Sequence, residues 1–144
     1  MASGLATPSA PDRDVREVET ALAAFLRAFD TLDLPAFIAC FDSKVTFFAP
    51  TGRATRIDGR DAIADFFSGV FAQTKRESGR TQPPYMHLDP RDLRVQQTGD
   101  CAIVTFHLAE SDGIHRRTLV FARNHGGWRI VHLHASNLGP PAAT

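Results

Sequence analysis

Lysine is almost missing from this chain: of sixteen basic side chains, all but Lys44 and Lys75 are arginine. Sixteen acidic residues balance them, for a formal net charge of +0 at pH 7. The one-signed basic excess of a nucleic-acid binder is absent, so no nucleic-acid partner is expected. Cysteine is scarce too. Cys40 and Cys101 sit in apolar stretches, as reduced core residues do, rather than in a disulfide framework. No apolar run reaches the roughly 18 residues that a membrane-spanning helix needs, so no membrane partner is expected. The first dozen residues lack the charged start and apolar middle of a secretory leader, and the expectation is a cytoplasmic protein. There is no phosphate-binding loop, dinucleotide glycine pattern, Gly-x-Ser-x-Gly elbow or Cys-x-x-Cys pair, and no cofactor is expected.

What is present suffices for one domain: 144 residues, 43% of them hydrophobic, can bury a core of their own. Residues 1–12 and 139–144 read as tails and 13–138 as the single domain. Val15, Val18, Leu22, Phe25, Leu26 and Phe29 recur at helical spacing and predict a long helix from Asp12 or Asp14 to near Asp30. Asp33 and Pro35 open a short second helix with Phe37, Ile38 and Phe41 on its buried side. The β-branched and aromatic run 44–49 predicts a strand, with a shorter one at 54–57. A third helix is expected over 60–78, closed by Gly79. From Tyr85 the period becomes two. Strands follow at 85–97, with a bend at Asp89-Pro90, then at 100–110, at 114–123, and from Gly126-Gly127 to Asn137. Asp30 and Asp42 follow helices and read as turn residues. The fold class is α+β, a curved, largely antiparallel sheet wrapped on three N-terminal helices.

The last strand, Gly-Gly-Trp-Arg-Ile-Val-His-Leu-His-Ala-Ser-Asn, organises the rest. Strict alternation puts Trp128, Ile130, His132, His134 and Ser136 on one face. A two-residue turn at His125-Gly126 would set Arg117 beside His134 on that face, while a one-residue slip would substitute Arg116 and Thr118. His107 joins the group if it points inward. A guanidinium and imidazoles in a partly dry cavity suit a small organic carboxylate or an enolate-like oxygen. Trp128 and Tyr85 are further candidate contacts, each also explained as a core or boundary aromatic. His107, His132 and His134 could share a metal only with a further ligand that the sequence does not mark, and no metal is expected. No acid is found on the expected inward faces of the last strands. The opposite face, with Val131, Leu133, Ala135, Val120 and Ala122, is also apolar, and predicts a homodimer through the outer sheet face.

Thr46-Phe47-Phe48-Ala49-Pro50, Asp58-Gly59-Arg60-Asp61 and Trp128 to Ser136, with its Val-His-x-His-x-Ser core, resemble the nuclear transport factor 2-like superfamily. Within it, residues 13–138 are similar to SnoaL-like domains and to the association domain of calcium/calmodulin-dependent protein kinase II. The resemblance implies a cone-shaped fold with a pocket between sheet and helices, assembled as a dimer or larger ring. In the kinase domain it also implies inward arginines and histidines. Superfamily members include isomerases, cyclases, dehydratases, epoxide hydrolases and domains that only bind or oligomerise, so the fold does not choose the chemistry. Three readings stand. The first is a small-molecule-binding domain for an acidic or carbonyl-bearing ligand, with Arg117 and His132/His134 as polar contacts and His107, Trp128 and Tyr85 as further contacts. The second is a cofactor-independent isomerase, cyclase or dehydratase with His134 or His132 as acid–base. The third is a purely oligomerising domain.

Overall fold

A computed structural model describes residues 10–124 and 126–139. The chain runs α1 (Ala10–Asp30), α2 (Leu34–Ile38), β1 (Phe41–Phe48), β2 (Ile57–Asp58), α3 (Arg60–Ser78), β3 (Arg91–Thr98), β4 (Cys101–Glu110), β5 (Gly113–Asn124) and β6 (Gly127–Leu138). The strands form one six-stranded, curved and unclosed sheet in the order β2-β1-β6-β5-β4-β3. Only β1 and β6 run parallel; the other neighbours are antiparallel. The α+β class expected from the sequence is the one observed.

Local chemistry explains the boundaries. Asp33 caps α2 by accepting from the Ala36 amide at 3.1 Å, and Pro35 lies in its first turn, where a missing N–H costs nothing. Gly79 ends α3 in the left-handed conformation, φ +67°, which a β-carbon would disfavour. Several expected bounds move: α1 begins at Ala10, ahead of Asp12, and the short second strand covers Ile57–Asp58 instead of 54–57. Phe41 opens β1 instead of closing α2. The strand expected from Tyr85 begins only at Arg91, because the preceding segment spends its amides on α1. The Tyr85 and Leu88 N–H groups donate to the Asp30 carbonyl and carboxylate, both at 2.8 Å. The Asp30 carboxyl is raised above its ordinary value, first by burial, with the Leu88 bond and the His87 charge opposing. The tails expected at 1–12 and 139–144, and the turn expected at His125, fall in part on residues 1–9, His125 and 140–144, which lie outside the described residues.

The helices pack on one sheet face around an aromatic centre. Phe37 is fully buried, and its ring lies 4.7–5.2 Å, centre to centre, from those of Phe25, Phe41, Phe67 and Phe71. The inward sheet positions continue this core through Ala102, Val104, Phe121 and Ile130. Cys101 does not belong to it: as the first residue of β4, one position before inward Ala102, it faces out and is exposed.

One irregularity decides which side chains meet. Along β5 and β6 the pairs run Arg123 with Trp128, then Phe121 with Ile130, and then Val120 with His132. Val131 is therefore an extra residue, a bulge. Before it, Trp128 and Ile130 are buried; after it, Leu133 and Ala135 are buried, and His132 and His134 point the other way. Phe37→Ala would open a cavity among five neighbouring rings. It should lower the unfolding free energy by about 3–5 kcal/mol in urea titrations.

Candidate functional site

Between the helices and the far half of the sheet lies a cavity of about 320 Å³, at the small end of the ~300–1,000 Å³ usual for ligand sites. Its walls are apolar. Phe25 and Phe29 of α1, Phe66 and Val70 of α3, and Leu119 and Leu133 of the sheet supply much of the lining, and Met86 and Leu88 close the side that Asp30 holds in place. The ionisable groups gather at one end, where β4 and β5 meet. Glu110, His115 and Arg117 all line the cavity there. Register explains the grouping: Arg117 sits between Phe106 and Ala135, and His115 between Leu108 and Asn137.

Arg117 is fixed by its neighbours. Its Nη1 donates to the Arg116 carbonyl at 2.9 Å and to the Asn137 Oδ1 at 3.0 Å. Both Nη1 hydrogens are thus committed, and among the described residues Nε and Nη2 have no partner. Neither is sealed from solvent. Together they form the side-on fork that matches a carboxylate. Burial pulls the guanidinium down from its ordinary value, and the Glu110 charge opposes this without an ion pair forming. An arginine stays cationic in any case. His115 is ordered from the turn: its Nε2 lies 2.8 Å from Asp112 Oδ1.

The structure divides the residues singled out from the sequence. Arg117 lines the cavity. His132 and His134 lie on the outer sheet face, turned there by the Val131 bulge. His132 Nδ1 is 2.7 Å from Thr46 Oγ1, and the two imidazole rings are 6.3 Å apart. Leu133 and Ala135 correspondingly leave the outer face expected for them and become cavity wall. His107 also faces out, on β4 opposite Arg116 and Arg91 and two strands away from the other imidazoles. Among the described residues no three His, Cys, Asp or Glu gather to hold a metal. Trp128 points inward at the opposite end of the sheet, its Nε1 donating to Glu17 at 3.0 Å with the Arg123 guanidinium 4.9 Å above the ring. Tyr85 lies beneath Lys75 Nζ at 5.4 Å, next to the cavity wall without lining it. The statement that no inward acid exists is corrected by Glu110, which continues the alternation Ala102, Val104, Phe106, Leu108. His115, two residues before Arg117 on its face, was open to the same argument. Asn137 was not, because the bulge reverses its side.

The family model for the SnoaL-like domain matches residues 18–140. The chain belongs to the SnoaL-like domain family. Solved structures agree on the fold of this SnoaL-like domain. A protein of the NTF2-like family from Streptomyces avermitilis shares 23% identity over 89% of this chain and 98% of its own, with a TM-score of 0.74. The CaMKII hub of S. rosetta shares 25% over 92% and 100%, with a TM-score of 0.64. A cystatin-like-fold protein from Caulobacter vibrioides shares 17% over 89% and 92%, with a TM-score of 0.67. A comparison with curated proteins finds no match.

The outer-face histidines have a measurable consequence. The His132 cation is disfavoured first by burial, then by the His134 charge and by Arg56, with the Thr46 bond opposing. Its folded value thus lies below the unfolded one, about 6.5. The stability it contributes is complete above that value and is lost as pH falls through the folded value. Urea midpoints should decline on acidification below about pH 6.5, and His132→Gln should flatten that decline; an unchanged slope contradicts the assignment.

Proposed function

We propose that this SnoaL-like domain binds a small amphipathic organic acid, its apolar body in the aromatic cavity and its carboxylate on Arg117. The observation that carries this is the half-committed guanidinium: Asn137 and the Arg116 carbonyl hold Nη1, while Nε and Nη2 remain free at the polar end of an apolar cavity. A partly desolvated cation without a paired anion carries a cost, and an anionic ligand lowers it. The outer face supports a second element, a homodimer. Ile103, Ile114 and Leu138 are exposed there at 40%, 37% and 49%, flanked by Val120 and His134. The likeness to a CaMKII hub favours association of copies. A catalytic alternative draws on the S. avermitilis relative, whose name proposes a dehydratase. In this chain, acid–base work in the cavity would fall to His115 or Glu110 instead of His132 or His134.

Thermal-shift titration with 4-phenylbutanoate and with its uncharged amide tests the binding. Saturation at about 100 times the dissociation constant stabilises by about 2.7 kcal/mol, a rise of roughly 2–8 °C. The acid should act and the amide should not. Arg117→Ala should weaken the acid by roughly 10- to 100-fold, the worth of a charged hydrogen-bonded anchor. For the dimer, Ile103→Glu should convert the species seen by light scattering from dimer to monomer while the thermal shift persists.

A further inference from the structure

The cavity's polar end holds more than an anchor. A ligand held only by its carboxylate would need Arg117 and apolar wall; His115 and its carboxylate partner would be superfluous. Yet His115 lines the cavity with a side chain only 17% exposed, while Asp112 is 70% exposed at the turn. An ionised carboxylate can only accept, so the 2.8 Å contact places the imidazole proton on Nε2. In the neutral imidazole that leaves Nδ1 with its lone pair, and Nδ1 has no partner among the described residues. A cavity-lining histidine with one nitrogen held by a carboxylate and the other without a partner is arranged as a general base.

We infer that His115 transfers a proton to and from the carbon next to the carbonyl of a 2-oxo acid held by Arg117, with Asp112 as its positioning residue. This rests on the Arg117 anchoring reading. The C3–H bond of the acid breaks, and its proton goes to Nδ1 of His115. The bonding pair becomes the C2=C3 double bond, and the C2 oxygen takes the negative charge. That oxygen adjoins the carboxylate, so the same guanidinium that binds the acid stabilises the enolate. Return of the proton from His115 completes an exchange that needs no oxidant or other reactant. The groups facing His115 are Asp112 at the turn, Glu110 and Leu108 of β4, Arg117 of β5 and Asn137 of β6. Leu108, Ala135 and Leu119 make the adjoining wall apolar, which suits an aryl or alkyl tail beyond C3.

Proton NMR of 2-oxo-4-phenylbutanoate in D₂O, recording loss of the C3 signal, tests this alongside calorimetric binding of 4-phenylbutanoate. The wild type should accelerate exchange by about 10²-fold or more over buffer, the scale of a positioned acid–base group. His115→Gln should remove that acceleration while binding of 4-phenylbutanoate persists; His134→Gln should retain it. Asp112→Asn should shift the pH–rate profile and leave the binding constant unchanged, which loss of turn structure alone would not do. Binding without acceleration overturns the proton-transfer role and leaves the anchoring reading intact. Loss of exchange in Glu110→Gln with retention in His115→Gln also overturns it. No binding of 4-phenylbutanoate by the wild type overturns the anchoring reading, and this inference with it.

Discussion

A strand that gains one residue against its partner turns over every side chain beyond that point. In β6 the extra residue is Val131, and the side to which every later β6 side chain points depends on it. The bulge lets Trp128 and Ile130 close one end of the core, against Glu17 of α1 and beside Phe121. It then brings small and apolar Leu133 and Ala135 inward, where they leave room for a cavity instead of filling it with imidazole. It also directs Asn137 to Arg117, so the residue that fixes the cavity's cation reaches it through the same irregularity. The displaced histidines find partners outside: Thr46 of the parallel neighbour β1 meets His132, and the Phe48 ring lies tilted against His134, 5.3 Å between centres.

The sheet therefore sorts its polar groups into two populations with different physics. On the outer face, His107, His132 and His134 lie among threonines and partly exposed aliphatic side chains. Inside, charge is confined to one end of an otherwise aromatic space. There Arg117 is partly desolvated, Glu110 offsets that cost only at a distance, and His115 is oriented from the turn by Asp112. Cavity and outer face are separated by one sheet, so changes at one should leave the other's polar contacts in place.

How far the sequence reached follows from periodicity. Helices α1 and α3 and strand β5 repeat without interruption, and their faces could be read directly; β4 alternates as regularly, but its inward face was left open, and His107 and Cys101 lie on the outer one. Arg117 was placed inward for that reason, since the pairing of Arg123 with Trp128 and Phe121 with Ile130 precedes the bulge. Beyond Val131 the reading failed. The segment has strong β chemistry throughout, no glycine or proline marks the insertion, and Val131 suits a regular strand as well as a bulge. His132, His134, Leu133 and Ala135 were all assigned to the wrong side by that single step. Glu110 and His115 lay within reach of the alternation but sit at a hairpin end, where polar residues are ordinarily turn furniture. The family resemblance was carried by the same Val-His-x-His-x-Ser run whose histidines lie outside the cavity, so recognising the fold did not locate the cavity lining.

The most direct test is to watch both faces at once in a titration with 4-phenylbutanoate. The arginine Nε–H resonances and the histidine ring resonances of the labelled protein would be followed by NMR, with assignments from Arg117→Ala, His132→Gln and His134→Gln. A saturable shift of the Arg117 Nε–H, with His132 and His134 unmoved, is the result that a bulge-divided sheet with its cavity on the Arg117 side requires. Saturable shifts of His132 and His134 with Arg117 silent would place the ligand on the other face and contradict the account.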